Sequence, residues 1–187
     1  LVQYDATETS LGEISIAIRG LEDGPGTGSS DQPLVVHVPT LYGGAFGPDL
    51  EDIAECAGVL VAEAVNMHSS KQYRVYMMGF TPGFPYLGGL DERLATPRLE
   101  TPRQKIPAGT VGIAESQTGI YPVASPGGWR LIGRTPLKLF DPSRESPSLL
   151  SAGDYLRFVP IDGEEEFKTI EDSVASGTYE TTMSVKQ

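Results

Sequence analysis

From residue 73 to residue 78, Tyr73, Val75 and Met77 alternate with Arg74, Tyr76 and Met78, the two-residue rhythm of a half-buried strand. Short apolar runs bounded by Gly and Pro predict further strands: LVVHV (34–38), VGIA (111–114), TGIYPV (118–123), GWRLIG (128–133), LKLF (137–140) and DYLRFVPI (154–161). LVQYDA at the start has the same texture. Helical patterns are fewer. Thr9 or Ser10 is placed to cap a helix from Leu11 to about Arg19, with Glu13 three residues after Ser10 as in a capping box, although Ile14, Ile16 and Ile18 alternate as in a strand. Asp49 is placed to cap a helix from Leu50 that Gly58 ends, and a second helical run sets Val61, Val65 and His68 on one face. EEEFKTIEDSVASG then carries Phe167, Ile170 and Val174 on one stripe, with Gly177 as its stop.

Ten of the fifteen prolines lie between Pro82 and Pro147, which excludes long helices there and leaves closely spaced short strands. The reading is a mainly β fold with flanking helices, an antiparallel barrel or sandwich. GLEDGPGTGSSDQP, residues 20–33, has the composition of a flexible linker and divides a short piece, 1–19, from the main domain, 34–187. LVQYDATETS lacks an initiator Met and reads as part of a longer chain.

Charge narrows the partners. Fourteen Lys and Arg against twenty-five Asp and Glu give a formal net charge of −11, which disfavours nucleic-acid binding. No apolar run approaches a membrane span, and one cysteine, Cys56, excludes an intrachain disulfide, so a reducing cytoplasm is expected.

Chemistry concentrates in GFTPGFPYLGGL, 79–90, where Phe80, Phe84, Tyr86 and Leu87 are threaded among two prolines and four glycines. Such a loop either plugs the core or lines a pocket; with Thr81 and Gly83 it is expected to line a cleft near Gln117 and Trp129 while partly closing the core. TPRLETPRQKIPAG, 96–109, presents Arg98, Arg103 and Lys105 on a proline-stiffened segment, suited either to an anion or to shielding a sheet edge. Gln117, Tyr121, Trp129 and Arg134 stand at predicted strand ends beside glycines, although a tight hairpin with a core Trp explains Gly127, Gly128 and Trp129 without a ligand. His37 reads as structural, Cys56 as a core thiol, and His68 as a helix-end acid–base candidate. GPGTGSS has no P-loop lysine, no G-x-S-x-G elbow occurs, and two histidines with one cysteine offer no zinc spacing, so no metal site is expected.

The stretch from VYMMGFTPGFPYLGGLDERLATPRLETPRQKIPAG through TVGIAESQTGIYPVASPGGWRLIGRTPLKLFDP closely resembles the KipI/PxpB family, also catalogued as allophanate hydrolase subunit 1. The likeness runs over about residues 34–180, with Leu41, Ala45 and Glu115 where the family leads one to expect Cys, Glu and Gly. The resemblance implies a cyclophilin-like β-barrel preceded by a small α+β domain, of which residues 1–19 would be a remnant. It implies a subunit of a bacterial ATP-dependent 5-oxoprolinase, acting with a paralogous PxpC/KipA-like subunit and a LamB/YcsF-like (PxpA) subunit, with ATP and Mg²⁺ at a shared site. Other members suggest inhibition of a sensor histidine kinase, or a carboxyltransferase role in amide processing. The chain lacks an amidase Ser/Ser/Lys signature and the Met-Lys-Met of a biotin carrier. On this reading Gln117, Arg103 and His68 are the catalytic candidates. Phe80, Thr81, Gly83, Phe84, Tyr86, Arg98, Lys105, Tyr121, Trp129 and Arg134 are the candidates for binding substrate or nucleotide.

Overall fold

A computed structural model describes residue 5, residues 7–22 and residues 34–186, in two units, Leu1–Asp31 and Gln32–Gln187. In the first, α1 spans Leu11–Glu22. The Ser10 N–H donates to Glu13 Oε2 at 2.8 Å and the Glu13 N–H to Ser10 Oγ at 3.3 Å, so the capping box decides for helix over the alternating isoleucines. The LVQYDA strand and most of the expected linker lie outside the described residues; Gly20–Glu22 close α1.

The second unit runs β1 (Leu34–Tyr42), α2 (Leu50–Ala57), α3 (Val61–Ser69), β2 (Tyr73–Met78), β3 (Pro85–Gly88), a 3-10 turn (Glu92–Leu94), β4 (Arg103–Ile106), β5 (Thr110–Ala114), β6 (Gln117–Ile120), β7 (Ser125–Gly127), β8 (Arg130–Arg134), β9 (Tyr155–Pro160), α4 (Gly163–Ser176) and β10 (Met183–Val185). Seven strands close a barrel in the order β1-β8-β5-β6-β3-β2-β9, with β9 returning parallel to β1 through Val35↔Tyr155 to Thr40↔Pro160. Closure leaves no free edge in the ring. β10 pairs with the start of β1, and β4 and β7 form a separate two-stranded ribbon.

Two apolar clusters follow from this topology. The larger joins Val36, Val38, Val75, Val111, Ile113, Leu156 and Phe158 of the barrel strands to Leu50, Ile53 and Met67 of the helices. The smaller joins Phe84, Ile106, Ala114, Tyr121, Trp129 and Leu131. All five β5 residues are buried, because Val111 and Ile113 serve one cluster while Ala114 serves the other.

Several local expectations are corrected. LKLF is no strand; only Phe140 bridges Ser148, since Pro136 and Pro142 bracket the run and remove ladder donors while Leu137 and Leu139 fill the core as loop residues. The third strand of that series stops at Ile120, before Pro122. Asp49 precedes α2 without a side-chain cap bond, its carboxylate being drawn elsewhere. Cys56 is exposed, because α2 buries Leu50, Ile53 and Ala54. α3 buries Ala64, Met67 and His68, leaving Val61 exposed. The expected stripe on α4 holds: Phe167 is buried against Phe46 and Ile170 and Val174 pack on the main core.

Candidate functional site

β2 ends where Gly79 begins a tight loop. The Gly79 N–H donates to Phe84 O at 3.1 Å, and the Thr81 N–H to Gly79 O at 2.8 Å, closing a γ-turn about Phe80 with φ +65°. A bulky side chain at that φ is strained by about 1–2 kcal/mol. Gly83 follows at φ +82°, where an added Cβ would press on Phe140 Cβ at 2.8 Å. The loop so shaped buries Phe84 and leaves Phe80 62 % exposed above it.

Phe84 is the centre of an aromatic cluster. Its ring lies 5.6 Å from Phe80, 4.9 Å from Tyr86, 5.4 Å from Tyr121 and 5.5 Å from Trp129, near-perpendicular to Phe80, Tyr121 and Trp129. These five rings, with Arg98, Pro102, Pro126, Gly127 and Gly128, enclose a groove of about 300 Å³. At Gly127 the missing side chain lets the Tyr121 hydroxyl lie against the backbone of β7, where a Cβ would overlap it. Burial pushes the Tyr121 phenol up, opposed by the nearby Trp129 backbone and by the charges of Arg98 and Arg103.

The cations of the proline-stiffened segment take different roles. Arg98 is exposed at the groove and has no ion-pair partner among the described residues. Arg103 does not line the groove: its Nη2 donates to Asp49 Oδ1 at 2.7 Å and its Nη1 approaches Trp129 O at 3.5 Å, pinning the ribbon to the loop before α2. Lys105 is exposed on β4, away from the groove lining. Arg134 belongs to a different hollow, with its guanidinium 5.0 Å from the Phe46 ring, beside Phe167 and Glu171, and its Nε buried without a partner.

Thus Phe80, Phe84, Tyr86, Arg98, Tyr121 and Trp129 come together in one groove, while Arg103, Lys105, Gln117 and Arg134 do not line it. Gln117 is exposed at the start of β6. Thr81 and Gly83 line a shallow hollow with Phe80 beside the groove. His68, the helix-end acid–base candidate, lies outside the groove and is buried in the core, its Nδ1 2.8 Å from Tyr42 Oη and its Nε2 2.9 Å from Thr118 Oγ1. Burial pulls its pKa down to about 3. Pro102 and Asp49 were not foreseen in these roles; only the Gly-Pro spacing hinted at the first, and a helix-cap pattern concealed the second.

The model of the carboxyltransferase domain, subdomain C and D, matches residues 1–150. The chain belongs to the carboxyltransferase-domain family. It is 54% identical over 127 residues to the 5-oxoprolinase B-subunit of Bacillus subtilis, covering 68% of this chain and 53% of that protein. It is 55% identical over 125 residues to the 5-oxoprolinase B-subunit of Escherichia coli O157:H7, covering 67% and 57%. This carboxyltransferase-domain chain therefore spans a little over half the length of these relatives. A conserved uncharacterized protein from Pyrococcus horikoshii superposes with TM-score 0.69 at 50% identity, over 88% of this chain and 74% of that one. Kluyveromyces lactis urea carboxylase superposes with TM-score 0.74 at 22% identity over 98% of this chain and 19% of that one, a likeness of fold.

Proposed function

We propose that this chain is the barrel part of a 5-oxoprolinase B-subunit, which together with partner subunits opens the lactam 5-oxoproline to glutamate using ATP. The observation that carries the reading is the 54–55% identity to the proteins of that name from two bacteria. The partners proposed are a PxpC/KipA-like paralogue and a LamB/YcsF-like (PxpA) subunit in the cytoplasm. A lactam carbonyl is a poor electrophile, and phosphorylating its oxygen creates a leaving group. Phosphoryl transfer calls for several converging cations. Here Arg98 alone of the four candidate cations lines the groove, with Arg103 engaged by Asp49 and Arg134 set beside Phe46. One guanidinium among aromatic walls is fewer cations than a triphosphate and its Mg²⁺ call for, which supports the reading of a site completed by partner subunits.

The test is to co-purify the chain with the products of neighbouring genes and measure 5-oxoproline-dependent ATP hydrolysis by the chain alone, the partners alone and the reconstituted complex. Activity only in the complex, lowered by Arg98→Ala, is expected. Full activity from the isolated chain, or none from any complex, overturns the reading.

A further inference from the structure

Phe80 and Arg98 are features that packing does not call for. The loop holds Phe80 at φ +65°, a strained conformation for a large side chain, and keeps its ring 62 % exposed. Arg98 is likewise exposed with no ion-pair partner among the described residues, although the chain carries eleven more acidic than basic groups. Both front the groove whose remaining walls are Phe84, Tyr86, Tyr121 and Trp129.

We infer that this groove binds a flat, π-bearing ring carrying one anionic substituent, the ring stacking on the exposed Phe80 in the groove whose wall includes the largely buried Trp129, and the anion meeting the Arg98 guanidinium. The inference rests on the groove being the ligand site of the proposed function and adds what it selects. Aromatic faces stack on planar π systems, and a guanidinium takes a carboxylate or phosphate through paired N–H donors. About 300 Å³ accommodates one such ring system with its substituent. The lining has few polar groups to satisfy the amide of a small saturated lactam, so the groove favours the aromatic ring over 5-oxoproline itself. The ring can belong to a nucleotide or to an aromatic acid, both of which share this chemistry.

Trp129 is the only tryptophan of the chain, so its fluorescence, excited at the red edge where purines do not absorb, reports on this groove alone. The intact chain is titrated with adenosine monophosphate, adenosine, benzoate, benzyl alcohol, inorganic phosphate and 5-oxoproline. Saturable quenching by adenosine monophosphate or benzoate is expected, with the neutral counterparts about five- to tenfold weaker, as a charge-assisted contact implies. Arg98→Ala should erase the difference between charged and neutral ligands, and Phe80→Ala should weaken both about tenfold through lost stacking. Whichever ring anion binds more tightly identifies the source. Absence of saturable quenching by either, equal binding of inorganic phosphate, equal binding of 5-oxoproline, or an unchanged Phe80→Ala overturns the inference. Because the readout is binding to the chain without partners, its failure leaves the 5-oxoprolinase assay standing, and failure of that assay leaves this binding standing.

Discussion

The Asp49 carboxylate and the Arg103 guanidinium meet at 2.7 Å across 54 residues of chain, and the second oxygen of Asp49 accepts the Leu131 N–H at 2.6 Å. The pair joins the loop before α2, the β4–β7 ribbon and β8. Asp49 is buried, so removing its partner strands a carboxylate out of water with a single remaining donor.

Arg103→Ala is therefore expected to destabilise the fold by about 1–3 kcal/mol, measured as a shift in the urea midpoint; the 30 % exposure of the Arg103 side chain keeps the figure below that of a fully buried pair. Adding Asp49→Asn to Arg103→Ala should recover part of the loss, because the stranded charge is gone. A surface cation would change stability by about half a kcal/mol or less, so an unaffected midpoint would show the pair to be incidental.

His68 makes stability depend on pH. Above pH 6.5 the ring is neutral in both folded and unfolded chains. Between 6.5 and about 3 the unfolded chain binds a proton there that the folded core refuses, because burial disfavours the charged ring. Stability should fall with decreasing pH through that window, by about 1.4 kcal/mol per pH unit from this group. His68→Gln is expected to lower stability at neutral pH, since Tyr42 and Thr118 lose a matched partner, yet to flatten the slope between about pH 4 and 6. Denaturant midpoints across that range check both; an unchanged slope would assign the acid sensitivity to other groups.

Glu115 sits in the two-residue turn between β5 and β6 with φ +52°, and its N–H donates to Thr96 O at 2.8 Å. A side chain in this left-handed region is disfavoured by about 1–2 kcal/mol, of which a glycine's greater unfolded freedom returns part. Glu115→Gly keeps the N–H bond and should raise stability by about 0.5–1 kcal/mol, a few degrees in melting temperature. A lower melting temperature would show that the Glu115 side chain contributes more than the backbone strain costs.

How legible these features were depends on how local their causes are. β2, β5, β8 and β9 follow from short apolar runs between turns, and α4 from its Phe167 stripe and the left-handed Gly177 stop. The ribbon was illegible because its partners, Arg103↔Gly127 and Ile106↔Ser125, lie among prolines and glycines whose composition signals turns. Asp49 had the local pattern of a cap, and only a contact 54 residues away redirects it. The aromatic half of the groove was visible as large rings on a loop that cannot form regular structure. Its charged half was not, because Arg98, Arg103 and Arg134 look alike in sequence. They differ in what the closed barrel sets beside them: solvent at the groove, a buried carboxylate, and the Phe46 ring.

Gly127 offers the sharpest test of the groove's construction. A Cβ there would overlap the Tyr121 hydroxyl and stand 2.9 Å from Ile106 Cδ1 and 3.0 Å from Tyr121 Cζ. Tyr121 is 2 % exposed and wedged against Phe84 and Trp129, so its ring has no slack except toward the groove. Gly127→Ala should drive that ring outward and fill part of the cavity. Overpacking of this kind costs about 1–3 kcal/mol. The expected result is a lowered urea midpoint together with altered Trp129 emission and loss of ring–anion binding. Gly128→Ala is the control: its Cβ would meet Leu99 O at 3.5 Å and Pro102 at 3.7 Å, ordinary contacts, and stability should change little. If Gly127→Ala binds ligand as tightly as Gly128→Ala, Tyr121 is not a fixed wall, and the groove is softer than its packing implies.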